Sequence, residues 1–168
     1  MTFDPPAAAG LSGTESFDGL DASILDFWRY AMSDLRTNNV RGYLAEFLVA
    51  RAVESRGARV EWDPWDVTAP DGTTIEVKSS GFLQSWAQKK LSTPTFRVAP
   101  AYGWDAATNA RSSERQYHAD VYVFCLHTAR THDDYDPFSV AGPDTQGSVR
   151  PRCGTRRSGG CNGRGGRF

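Results

Sequence analysis

Glu76 and Lys78 stand two residues apart in Thr74-Ile75-Glu76-Val77-Lys78-Ser79-Ser80, a run built largely of strand formers. Residues two apart on a strand share a face. A carboxylate and an ammonium so placed can hold a metal ion and a water side by side, which is the chemistry of metal-dependent phosphodiester cleavage. Only three lysines accompany sixteen arginines in the 168 residues, so a lysine kept here suggests a task for a compact ammonium that a planar guanidinium cannot perform. The bare Glu-x-Lys pattern is expected by chance about 0.1 times in such a chain, and its plain alternative is an exposed ion pair.

The elements around this run give it a third partner. Trp65-Asp66-Val67-Thr68-Ala69 and Thr73-Thr74-Ile75-Glu76-Val77-Lys78 flank Pro70-Asp71-Gly72, a hairpin signal. With the turn centred on Asp71, Val67 faces Ile75 and Asp66 faces Glu76. Opposed residues of an antiparallel pair point to one side with Cβ atoms about 5 Å apart. Asp66, Glu76 and Lys78 then form one cluster. Two carboxylates so close repel unless a positive charge lies between them, and a hard divalent cation, Mg2+ or Mn2+, suits oxygen ligands. A one-residue slip in register would send Asp66 to the other face and leave Asp63 as the acid.

Further elements are readable on either side. Helical spacing predicts a helix from Asp21 or Ser23 to about Arg36, with Ile24, Leu25, Phe27, Trp28, Ala31, Met32 and Leu35 as its apolar positions. A second helix is predicted over 40–56, with an apolar stripe of Tyr43, Leu44, Phe47, Leu48, Ala50 and Val53, and with Gly57 ending it. Glu46 lies within that stripe; it either reaches solvent at the edge or joins the cluster if the helix packs on the hairpin. Residues 58–62 and 95–99 read as short strands, 82–91 as a helix and 100–116 as a loop. Asp120 to His127 is the most apolar strand and belongs at the centre of a sheet.

The chain length fits one domain with a real core. No apolar run approaches the roughly 18 residues of a membrane span. Residues 1–16 carry no basic segment of a secretory signal, so a cytoplasmic protein is the default. Cys125, Cys153 and Cys161 show no disulfide or zinc spacing, and His127 and His132 read as structural or loop residues. The formal net charge of −1 divides into −6 over residues 1–140 and +5 over 141–168. Three regions follow: a flexible N-terminus, 1–20; a folded domain, 21–140; and a disordered tail, 141–168. Eight glycines and six arginines make up half of that tail. The tail reads as a flexible nucleic-acid-binding segment or as the product of a frameshift near residue 140.

The set Gly42-Tyr43-Leu44-Ala45-Glu46, then Asp66, then Glu76-Val77-Lys78, resembles the PD-(D/E)XK nuclease superfamily, in order and spacing similar to archaeal Holliday-junction resolvases and many small nucleases. The resemblance runs from Arg41 to about His127. It implies a restriction-endonuclease-like α/β (α+β) fold, with an αβββαβ core and a central mixed sheet of four to five strands flanked by helices. It implies that Asp66, Glu76 and the backbone carbonyl of Val77 bind Mg2+ or Mn2+, that Lys78 handles the attacking water, and that the products carry 5′-phosphates. Glu46 maps onto a helical glutamate found in part of the superfamily. Gln84 or Gln88 maps onto a supporting glutamine. The superfamily's Pro-Asp pair is absent at Asp66, which follows Trp65; Pro70-Asp71 sits in the turn, leaving Asp71 as an alternative ligand.

The expected function is a Mg2+- or Mn2+-dependent endonuclease acting on nucleic acid, DNA in particular. The alternative is a non-catalytic nucleic-acid-binding or assembly module that keeps the fold. Lys89, Lys90, Arg97, Arg111 and Arg115 are candidate phosphate contacts, each with an ordinary solvated charge as its plain reading. Trp62, Trp65, Trp86 and Trp104 could stack on bases, with a core role favoured for Trp62 and Trp65. Because the body is acidic, substrate contact would rest on a local patch or on a homodimer.

Overall fold

A computed structural model describes residues 10–57, 59, 63–105, 110–139 and 149–152. Two helices, α1 (Ile24–Met32) and α2 (Asn38–Ala52), precede six strands: β1 (Val67–Thr68), β2 (Thr74–Gly81), β3 (Ala101–Asp105), β4 (Ala110–Gln116), β5 (Val121–His127) and β6 (Val149–Arg152). A mixed sheet has the order β1-β2-β5-β6, and β3 and β4 form a separate ribbon. The β1/β2 and β5/β6 pairs are antiparallel, while β2/β5 is parallel. The architecture is the expected mixed α/β kind.

The hairpin has the expected register, with Val67 opposite Ile75. Its turn closes through Gly72 N–H to the Ala69 carbonyl, and Ala69 N–H returns to Thr73. Gly72 takes φ +86°, the left-handed conformation that glycine adopts without steric cost. Strand alternation then sorts the side chains. Val67, Ile75, Val77, Val123 and Cys125 bury themselves against Ala45 and Val49 of α2. Asp120 locks the β2–β5 register, its carboxylate accepting from Thr74 N–H (3.0 Å) and Thr74 Oγ1 (2.7 Å).

The buried positions of α2 are Val40, Arg41, Ala45 and Val49, a narrower face than the expected stripe. Phe47 (58% exposed) and Tyr43 look outward. Small residues face the sheet because they let helix and strands approach. Glu54, at φ 59°, supplies the left-handed residue after the helix, in place of the expected Gly57. The first helix is shorter than expected, starts at a capping box between Ser23 and Asp26, and buries none of its residues.

Five expectations are corrected. Residues 82–91 form no helix, because side chains there satisfy the backbone locally. Gln88 accepts from Gln84 N–H (2.8 Å) and donates to the Phe82 carbonyl, while Gln84 reaches Ser92 Oγ. Residues 95–99 run extended but join no ladder; Thr95 N–H meets Ser80 Oγ, and Phe96 packs on Phe124 at 5.0 Å between ring centroids. The expected loop over 100–116 is the β3–β4 ribbon. Residues 10–20 are tied to α1 rather than loose: Leu25 N–H bonds Gly13, and Ile24 N–H bonds Glu15. Within the tail expected to be disordered, residues 149–152 pair with the open edge of β5, whose backbone groups need partners. The rest of the tail, residues 1–9, and most of the strand expected over 58–62 lie outside the described residues.

Gly81 marks the tightest packing near the sheet's end. A Cβ there would lie 3.0 Å from His127 Cβ and 3.1 Å from an Arg41 guanidinium nitrogen. Gly81→Ala is therefore expected to cost about 1–3 kcal/mol through overpacking, read as a lower urea midpoint with an unchanged m-value.

Candidate functional site

The short β1 creates the site. Since β1 begins only at Val67, β2 beyond Ile75 has no strand beside it on that edge, and Asp66 fills the gap. Asp66 N–H donates to the Ile75 carbonyl at 3.0 Å. Its carboxylate accepts the Val77 N–H at 2.7 Å, closing the ladder with a side chain. A strand residue sends its N–H and C=O to the same edge, so the Val77 carbonyl faces the Asp66 side.

Glu76 and Lys78 share the β2 face opposite the core. Their side chains form a direct ion pair, with Glu76 more enclosed than Lys78. Glu46 reaches this edge from α2 and pairs with Arg59, Nε to Oε2 at 2.5 Å. Arg59 also lies over the Tyr43 ring, 4.7 Å from its centroid. Burial raises the Glu46 pKa above the usual carboxylate range. The Arg59 hydrogen bond opposes that shift, and the charges of Asp66 and Glu76 add to it. Glu46 thus feels the charges of both hairpin carboxylates.

Glu76 and Lys78 open into a cleft of about 340 Å³, whose other walls include Arg97, Gln116, His118 and Tyr122. Tyr122 sits opposite Glu76 in the β2–β5 register. Its hydroxyl pKa is raised chiefly by burial, with a contribution from the Glu76 charge. A larger cavity of about 490 Å³ lies elsewhere, between residues 83–91 and 130–132, and none of the three acids lines it.

Asp66 is thus bonded to the Val77 backbone, Glu76 is paired with Lys78, Glu46 is coupled electrostatically to Asp66 and Glu76, and Arg97 shares the cleft wall with Glu76 and Lys78. Gln84 and Gln88 instead knit the 82–92 loop to itself. Lys89 is exposed on that loop, and Lys90 lines the larger cavity. Asp71 is a turn residue, its carboxylate accepting Thr73 N–H at 2.9 Å, and Asp63 is exposed. Trp65 donates its indole N–H to Thr68 Oγ1. Arg59, His118 and Tyr122 had not been singled out for the site. Tyr122 alone carried a signal, since it alternates into the face of Glu76 on the most apolar strand.

A mixed sheet flanked by a helix, with acids and a lysine gathered at a strand edge beside an open cleft, has the features of a hydrolytic site. Residues 24–146 match the family model described as bacteriophage T4 endonuclease IV, and the chain belongs to that family, a family of endonucleases. No curated protein and no solved structure matches the chain. Among the described residues, no helix is long and apolar enough to cross a membrane.

Proposed function

We propose that this chain is a Mg2+- or Mn2+-dependent endonuclease that hydrolyses phosphodiester bonds of DNA, with a PD-(D/E)XK site on a restriction-endonuclease-like fold. One observation carries the reading: Glu76 and Lys78 pair on the wall of the cleft, Asp66 accepts the N–H of Val77 between them, and Glu46 feels the charges of both other acids.

The donors available are carboxylates and one carbonyl, all hard oxygens that suit Mg2+ or Mn2+. Burial chiefly raises the Glu46 pKa and the Asp66 and Glu76 charges add to it, a negative field that a cation would relieve. Among the described residues, no three acids are already arranged around one point. Glu46 and Glu76 are held by Arg59 and Lys78 and must leave those pairs to take an ion. With that exchange the residues fit the group: Asp66, Glu76, Glu46 and the Val77 carbonyl would hold it. A bound divalent ion supplies Lewis acidity and a water of lowered pKa. Lys78, released from Glu76, orients the attacking water through its ammonium and offsets charge on the phosphate oxygens. Arg97 on the facing wall holds a neighbouring phosphate.

The test is incubation of plasmid, single-stranded DNA and RNA with the wild type, Glu76→Ala and Lys78→Ala, with Mn2+ or with EDTA. DNA cleavage is expected from the wild type with Mn2+ alone. Cleavage that persists in both variants refutes the site. No cleavage of any substrate by the wild type refutes the nuclease and favours a binding module.

A further inference from the structure

The β3–β4 ribbon carries a second constellation, which the proposed chemistry does not use. Tyr102 lies opposite Arg115, and Trp104 opposite Arg111, with an irregularity between the two pairs. Both guanidiniums lie over the Tyr102 ring, Arg111 at 4.5 Å and Arg115 at 5.0 Å from its centroid, so all four side chains occupy one face. That face is open: Trp104 is 52% exposed and Tyr102 39%, and both arginines are exposed.

The other face is fixed to the cleft. Gly103 N–H donates to Ser112 Oγ at 2.8 Å. The His118 ring packs where a Gly103 side chain would stand, 3.0 Å from an ideal Cβ, and His118 Nε2 lies 2.9 Å from the Ala101 carbonyl. Ala101, Gln116 and His118 are themselves cleft walls. Past β4, Tyr117 meets Tyr122 edge-on at 6.1 Å, and Tyr122 lines the cleft beside Glu76. The Tyr117–Tyr122 pair thus links the end of β4 to the cleft wall that carries Glu76.

We propose that the ribbon is a nucleic-acid arm that holds the substrate strand as it enters the cleft. Arg111 and Arg115 take phosphates, and Trp104 packs on a base or sugar. Charge favours this partner. Residues 1–140 have a net charge of −6, so a cationic, aromatic face amid an acidic body suits a polyanion that also presents flat rings. Stacking on Tyr102 holds the guanidinium planes in place, which lowers the ordering cost of binding phosphate.

The inference deepens the proposed function, and a binding assay separates the two. In the full chain bearing Lys78→Ala, in EDTA, affinity is measured by anisotropy of fluorescein-labelled DNA oligonucleotides, annealed and unannealed. Adding Arg111→Ala and Arg115→Ala is expected to weaken binding about tenfold or more and to reduce the log–log salt slope by about 1.5. Trp104→Ala should weaken binding without changing that slope; its ring is exposed, so its loss leaves no core cavity. Arg29→Ala, on α1, should change neither. Unchanged affinity in both ribbon variants overturns the arm, even where the wild type cleaves DNA. Ribbon-dependent binding by a protein that never cleaves upholds the arm and refutes the nuclease.

Discussion

Lys78→Arg is expected to lose nearly as much cleavage as Lys78→Ala, on the order of 10²–10³ in kcat/KM. Arginine preserves the charge, and this chain uses arginine almost everywhere else. The difference lies in shape. The Lys78 ammonium pairs with Glu76 while remaining partly open to the cleft, so it can release the carboxylate and turn to a water. A guanidinium in its place presents a planar fork that pairs with a carboxylate through two hydrogen bonds. That pairing would hold Glu76 away from its proposed ion and leave no compact donor for the water. Single-turnover cleavage with Mn2+ decides the matter. Activity of the arginine variant near wild type would reduce Lys78 to a simple positive charge.

Acid should destabilise the fold through His127 before most carboxylates titrate. His127 is 4% exposed, stacks on Tyr135 with ring centroids 4.0 Å apart, and lies near the buried Arg41. Burial first, and the Arg41 charge second, lower its pKa from 6.5 to about 4. The unfolded chain therefore takes up a proton at higher pH than the folded one. Stability from this group is complete above pH 6.5, falls as the pH drops towards about 4, and is fully lost below that. The slope is about 1.4 kcal/mol per pH unit, for a total on the order of 3 kcal/mol. Glu46, with its raised pKa, acts in the opposite direction as it protonates. Urea denaturation across this window should show the slope in the wild type and a flatter one in His127→Phe, which keeps the ring stack. Equal slopes would remove His127 as the cause.

The parts legible in the sequence are those where local chemistry and global packing agree. Pro70-Asp71-Gly72 set the turn, the turn set the register, and the register brought Asp66 beside Ile75 and Val77 of β2. The strand Val121–His127 announced itself by continuous apolarity. Residues 82–91 misled because Leu83, Ala87 and Leu91 have helical spacing while Gln84, Gln88 and Ser92 offer the backbone other partners. The ribbon was missed because its strands bury little and Gly103 and Asn109 read as loop residues. The alternation of Tyr102 and Trp104, with Arg115 and Arg111 across from them, was its only signal. Arg59 carried none: its place beside Glu46 depends on how the chain leaves α2.

The alternation along β2 has a consequence for how such a protein can change. The side chains of Ile75 and Val77 answer to the core, while those of Glu76 and Lys78 answer to the cleft, and none of these four side chains answers to both. Stability and chemistry are thus written in interleaved letters of one short word. Substitutions can retune either without disturbing the other, whereas a single inserted or deleted residue would scramble both together.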